Sequence, residues 1–156
     1  MFAPQLDTAA EISKAHATVW MYRKRLESIW PTPERIDSLR FAFTEAGEAL
    51  DAYLRTVPQY ARNNHRNMSV PDELADCAMM LCTALPEIYR IGAVGKRPGC
   101  SLDGICFAVA DALMCGDVLD PLAMIAHYLH DNYNGASMAA LVEQRLKRIE
   151  MKVTTV

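Results

Sequence analysis

The chain is expected to fold as an all-α bundle of five or six helices, in one domain spanning residues 1–156. Three observations predict this. Apolar side chains recur at every third or fourth position, the period of a helix with one buried face. No alternating run of β-branched residues occurs, so no sheet is expected. Turn-forming residues gather into "PTP" at 31–33, "PQYARNNHRNMSV" at 58–70 and "GAVGKRPGC" at 92–100, which cut the chain into helix-sized pieces. A domain of this length buries about two thirds of the surface its unfolded chain exposes.

The first helix carries Ile12, Ala15, Val19, Tyr22, Leu26 and Ile29 as its apolar stripe. Thr8-x-x-Glu11 has the form of a capping box, and Pro31 is expected to stop the helix. Thr32 and Pro33 then open the second helix as N-cap and first helical residue. Its stripe is Leu39, Phe43, Ala46, Leu50, Tyr53 and Val57, ended by Pro58. After the polar loop, Ser69 and Pro71 open a third helix that Pro86 kinks or ends. Beyond the glycine-containing loop, helices are expected over Ser101–Cys115, from Asp120-Pro121 to about Tyr133, and from Ser137 to about Lys152.

Composition excludes several functions. The sequence is 51% hydrophobic with a net charge of −3, the balance of a globular chain. It has no overall positive field with which to collect nucleic acid or an anionic membrane. No apolar run approaches the ~20 residues that span a bilayer. The opening "MFAPQLDTAAEISKA" shows no basic segment followed by an apolar core, so no secretory signal is expected. Cys77, Cys82, Cys100, Cys106 and Cys115 form no CxxC pair and read as reduced thiols in a cytoplasm.

Within this framework one residue is out of place. Leu74 to Leu85 is almost unbroken apolar sequence, yet Asp76 lies inside it, one turn after Glu73. A buried carboxylate without a partner costs several kcal/mol or takes up a proton. Glu45 and Glu48 form a similar pair on the second helix, and residues three apart share a helix face. On the helical wheel Glu45 points away from the Leu39/Phe43/Leu50 stripe, among Phe41, Ala49 and Ala52, so this helix is expected to be covered on two sides. Two helices joined by a short loop usually pack antiparallel, which would set both acid pairs face to face. Four such carboxylates repel unless positive charge lies between them. Neither pair has a basic residue within one turn on its own face. The expectation is therefore that a hard divalent cation, Mg²⁺ or else Mn²⁺, compensates Asp76 and is bound by Glu45, Glu48, Glu73 and Asp76.

Glu45-x-x-Glu48 and Glu73-x-x-Asp76, within "LRFAFTEAGEALDAYL" and "PDELADCAMML", resemble the ExxE…ExxD signature of the MazG-like all-α nucleoside triphosphate pyrophosphohydrolases. The resemblance covers residues 36–90. It implies hydrolysis of a (deoxy)nucleoside triphosphate between the α and β phosphorus atoms, giving monophosphate and pyrophosphate. It also implies a homodimer or homotetramer, which the apolar faces of the central helices favour. Glu45 and Glu48 would be the catalytic residues, with Glu48 as the base. Some relatives carry an extra glutamate beside the first motif, where Thr44 and Ala46 stand here. Many also carry an Asn-x-Lys-x-x-x-Arg run that grips phosphate, and this chain has no clear match.

Candidate substitutes for that run are Arg145, Lys147, Arg148 and Lys152 near the end, and Lys96, Arg97, Arg62 and Arg66 elsewhere. Phe41, Tyr60, Trp20 and Trp30 are available to stack on a base, although both tryptophans also suit the core. "VGKRPG" fails as a P-loop because Arg97 stands where Ser or Thr is needed. His127-x-x-His130-Asp131 lacks the later aspartate of HD-type phosphohydrolases, and a surface or interface role is expected for those histidines. The alternative to an enzyme is a non-catalytic helical module that uses its apolar faces for oligomerisation or partner binding.

Overall fold

Three serines decide where the later helices begin. Ser69, Ser101 and Ser137 each accept a hydrogen bond from the backbone N–H three residues on, satisfying a donor the first helical turn leaves free. The computed structural model describes residues 5–61 and 69–155. Among them it is all-helical: α1 (Thr8–Leu26), α2 (Arg35–Leu54), α3 (Val70–Ala84), α4 (Leu102–Cys115), α5 (Leu119–Asn132) and α6 (Met138–Thr154). A short 3-10 turn covers Pro58–Tyr60, and no described residue is in a strand. Among the described residues no helix is long and apolar enough to cross a membrane. The expected all-α bundle is the observed fold.

α3 is the central element. Every residue from Glu73 to Leu85 is buried, because α1, α2, α5 and α6 all pack against it. A helix apolar on all sides is stable when so surrounded, and here one chain supplies the whole wrapping. The continuous apolar character of α3 therefore does not call for a second subunit. Large apolar side chains do remain exposed on α2 and α4: Phe43, Tyr53, Leu54, Phe107 and Met114.

α2 lies between α3 and α4 and buries Leu39 with a row of alanines, Ala42, Ala46, Ala49 and Ala52. Phe43 and Tyr53, expected on the buried stripe, point outward instead, at 47% and 48% exposure. Small residues fill the face between two close neighbours, and the bulky ones are turned away. Arg35 ties the start of α2 to the C-terminal ends of both neighbours, donating to the Ala84 carbonyl at the end of α3 (3.1 Å) and to the Gly116 carbonyl just beyond α4 (2.7 Å). Gly116 closes α4 in the left-handed region, φ 83°, where a Cβ would be strained. Arg35, early in α2, meets the end of α3, whereas Glu45 meets Glu73 near its start. The two helices thus run antiparallel, as expected.

The ends of α1 and the start of α2 differ from the sequence expectation. Asp7, not Thr8, caps α1, accepting from Ala10 N at 3.1 Å. Glu11 reaches across to the start of α6, accepting from Ala139 N (2.8 Å) and from the Ser137 hydroxyl. α1 stops at Leu26, leaving Ile29 exposed, because Glu27 turns to accept from Thr32 N and Oγ1. With Thr32 engaged there, α2 begins three residues later without a side-chain cap.

His127 is buried rather than superficial, its Nε2 2.8 Å from Thr8 Oγ1, and so links α5 to the first turn of α1. All five cysteines are free; Cys77 and Cys82 lie in the core, while Cys115 is exposed.

Candidate metal centre and adjoining cleft

The middle of α2 and the first turns of α3 bring the acids together. Glu45, Glu73 and Asp76 each offer a carboxylate oxygen within 4.8 Å of the other two. Glu48, one turn after Glu45, sits against the same group and shares a side-chain hydrogen bond with Glu73. Antiparallel pairing of α2 on α3, in the register set by Arg35 at the Ala84 carbonyl, places both acid pairs on the facing sides. Glu73 is 2% exposed, and its Oε2 has no hydrogen-bond partner.

Electrostatics follows from that crowding. Burial is the largest cause that pushes the Glu45 carboxyl up, to about 9, assisted by Glu73, Asp76 and Glu48. Burial likewise raises Glu73 to about 7, with Glu48 and Asp76 adding to it while Glu45 opposes it. The pattern is that of Glu45 holding a proton and donating it to Glu73. Two acids that cannot both ionise share protons until a cation replaces them.

Asp76 has a partner the sequence expectation did not supply. Arg145, on α6, donates through Nε to Oδ1 (2.8 Å) and through Nη2 to Oδ2 (3.0 Å). A two-pronged pair of this kind is the strongest geometry available to a carboxylate. A guanidinium therefore compensates Asp76 here, correcting the expectation that a metal ion alone could do so. Burial still outweighs it, leaving Asp76 above its ordinary value, while Arg145 is raised by the same bond. Reasoning confined to one helix face could not find a partner from an element 69 residues away.

The acids open onto a cleft of about 510 Å³ between α1, α2, α3 and α6. Glu45, Asp76 and Arg145 line one part of it; Trp30, Pro31, Pro33, Phe41, Met79, Met80 and Ile149 line the rest. Arg23 forms part of the wall and is 1% exposed, with its Cζ 3.7 Å from the Trp30 ring centroid.

Of the proposed cationic residues that the structure describes, only Arg145 reaches the acids. Lys147 pairs with Glu143 at 3.6 Å, and Arg148 and Lys152 are exposed further along α6. Lys96 and Arg97 line a different cleft, where Arg97 is paired with Asp120. Phe41 and Trp30 belong to the acid cleft. Tyr60 is exposed in the 3-10 turn, and Trp20 lines another cleft, donating to the Leu85 carbonyl at 2.8 Å. Arg62 and Arg66 lie outside the described residues.

Arg23 was absent from the expected residues although its position carries a signal. It falls four residues after Val19 and three before Leu26, on the buried stripe of α1. A charge at a core position of an amphipathic helix is the kind of violation that marks a site.

As a donor set, Glu45, Glu73 and Asp76 suit a hard divalent ion: all the donor atoms are carboxylate oxygens, and one from each residue lies within 4.8 Å of the other two. Two features oppose immediate binding: the guanidinium already on Asp76 and the proton held between Glu45 and Glu73. Comparisons with family models, curated proteins and solved structures return no match for this chain.

Proposed function

We propose that the chain is a Mg²⁺-dependent nucleotide pyrophosphohydrolase of the MazG-like kind, cleaving (deoxy)nucleoside triphosphates to monophosphate and pyrophosphate. The observation that carries this reading is the convergence of Glu45, Glu73 and Asp76 at the edge of a cleft that also presents Arg145 and two aromatic rings. The sequence resemblance across residues 36–90 supplies the reaction type.

In this reading Glu45, Glu73 and Asp76 hold Mg²⁺, or Mn²⁺, with Glu48 completing the acidic wall. The ion would supply neutralisation of phosphate charge and acidification of a water. Glu48 is the base, placed beside Glu73 yet outside the three converging acids. Arg145 binds phosphate oxygens from the α6 side, a role for which a forked donor is suited. Phe41 and Trp30 give the nucleoside end its flat walls.

A second reading draws on the Asp76–Arg145 pair and the proton shared by Glu45 and Glu73. Both neutralise the acids without any metal, as in a purely structural helical module. The exposed Phe43, Phe107 and Met114 would then be its working surface. Under the first reading the same side chains join a homodimer or homotetramer, and the setting is the cytoplasm, where reduced thiols persist.

A panel of NTPs and dNTPs with Mg²⁺, scored for pyrophosphate against orthophosphate, separates the two readings. Pyrophosphate release supports the hydrolase. No product from any nucleotide, with no change in thermal stability on adding Mg²⁺ or Mn²⁺, supports the module; orthophosphate alone contradicts the cleavage position.

A further inference from the structure

We propose that the cleft beside the acids seats a nucleobase that carries a carbonyl oxygen where cytosine and adenine carry an amino group, as uracil and hypoxanthine do, and that Arg23 selects it by that oxygen. This rests on the nucleotide reading above for the ring's being a nucleobase. The selectivity itself rests on Arg23.

Arg23 is a buried cation whose hydrogen bonding is incomplete. Its Nε donates to Thr83 Oγ1 at 3.3 Å, its Nη2 to the weakly accepting Met80 Sδ at 3.6 Å, and its Nη1 to nothing. The acid that influences it, Glu27, spends its carboxylate on Thr32. Buried donors without acceptors are rare and costly, and a bound group that completes them is one way they persist. A guanidinium can only donate. What enters must therefore present an acceptor, and an amino group in the same place would set donor against donor.

The rest of the wall narrows the choice. Trp30 and Phe41 offer ring faces, Pro31, Pro33, Met79 and Ile149 offer apolar contact, and the volume falls in the range of small-molecule sites. An anion at the Arg23 end is disfavoured by that apolar lining and by Glu45 and Asp76 in the same cleft. A carbonyl on an aromatic ring meets all of these demands. Nη1 is covered in this arrangement, with Trp30 over the guanidinium. A shift of the Trp30 ring within the cleft wall uncovers it for the incoming carbonyl, while Trp30 and Phe41 keep flanking the base.

The test measures binding of nucleoside monophosphates to the full chain with Mg²⁺, in pairs that differ mainly at one exocyclic group: IMP against AMP, and UMP against CMP. The oxo member of each pair is expected to bind about tenfold or more tightly, the scale of one charged hydrogen bond against a donor clash. In Arg23→Gln, whose amide both donates and accepts, the two members should come within about twofold. Should that variant not fold, the wild-type pairs decide alone. Equal binding within each pair, no binding of any of the four, or equally effective displacement by ribose 5-phosphate overturns the proposal. Triphosphate cleavage is assayed in parallel. Turnover without base discrimination defeats only this inference, and discrimination without turnover defeats only the hydrolase.

Discussion

Arg145 and Asp76 close a two-pronged ion pair at 2.8 and 3.0 Å, joining α6 to the first turns of the central helix. Both side chains are largely buried, 16% and 11% exposed. The pair stands at the edge of the three-acid group, so whatever binds Asp76 must contend with the guanidinium. This couples the stability of the bundle to the chemistry of its acids.

Arg145→Met should show that coupling. It leaves a buried carboxylate uncompensated, and breaking such a pair costs about 3 kcal/mol. Denaturant melts without metal should show that loss. With Mg²⁺ part of it should return, since Asp76 is then free for the ion. A variant as stable as wild type under both conditions would mean that the pair contributes nothing.

The pH dependence has a definite sign. Glu45 and Glu73 titrate at about 9 and about 7 in the folded chain, against 4.5 for an ordinary glutamate. The native state therefore holds more protons than the unfolded state across that window. Their contribution is fully present below pH 4.5 and is lost as pH rises towards about 9. Metal-free thermal melts from pH 5 to 9 should fall, by at most about 1.4 kcal/mol per pH unit for each proton involved. Added Mg²⁺ should flatten the decline, because the ion binds the deprotonated acids and releases their protons.

Glu73→Gln separates stability from metal binding. The amide removes a buried ionisable group, so the metal-free protein at pH 8 should gain about 1–3 kcal/mol. The stabilisation by Mg²⁺ should disappear in the same variant. Differential scanning fluorimetry with and without the ion reads both effects.

Glu48→Gln tests the assignment of the base. Turnover of triphosphates should drop by several orders of magnitude, roughly the 10²–10⁴-fold typical of general-base loss or more. Circular dichroism and Mg²⁺-dependent stabilisation should be retained. Full activity in Glu48→Gln would move the role to another acid.

Glu11 offers a test away from the acids. Its carboxylate serves the first turn of α6 through Ala139 N and Ser137 Oγ, so Glu11→Ala leaves those donors unpaired. Urea unfolding should show a loss of about 1–3 kcal/mol. A neutral result would return Glu11 to a merely local role.

The later helices were legible because their signals are local. Ser69, Ser101 and Ser137 caps and the Gly116 terminator act within a turn of their own positions, and those boundaries agree with expectation. The Thr8–Glu11 and Thr32 caps were misassigned for the opposite reason: Glu11 and Glu27 spend their carboxylates on residues outside their own helix turn. The face-to-face acids followed from spacing and antiparallel packing. The Arg145 partner did not, since no period links α3 to α6. Phe43 and Tyr53 had the right spacing for a stripe, but a helix wedged between two others buries its alanines.

The enclosure of α3 bears on how the protein would exchange its amide hydrogens with solvent. Backbone N–H groups around Glu73 and Asp76 lie inside the longest continuously buried segment of the described residues, so they should become labelled in heavy water only through opening of the whole molecule. Half of the acidic cage is then as rigid as the domain itself. Any adjustment to an arriving ion or nucleotide falls to α2, to Arg145 and to the Trp30 turn.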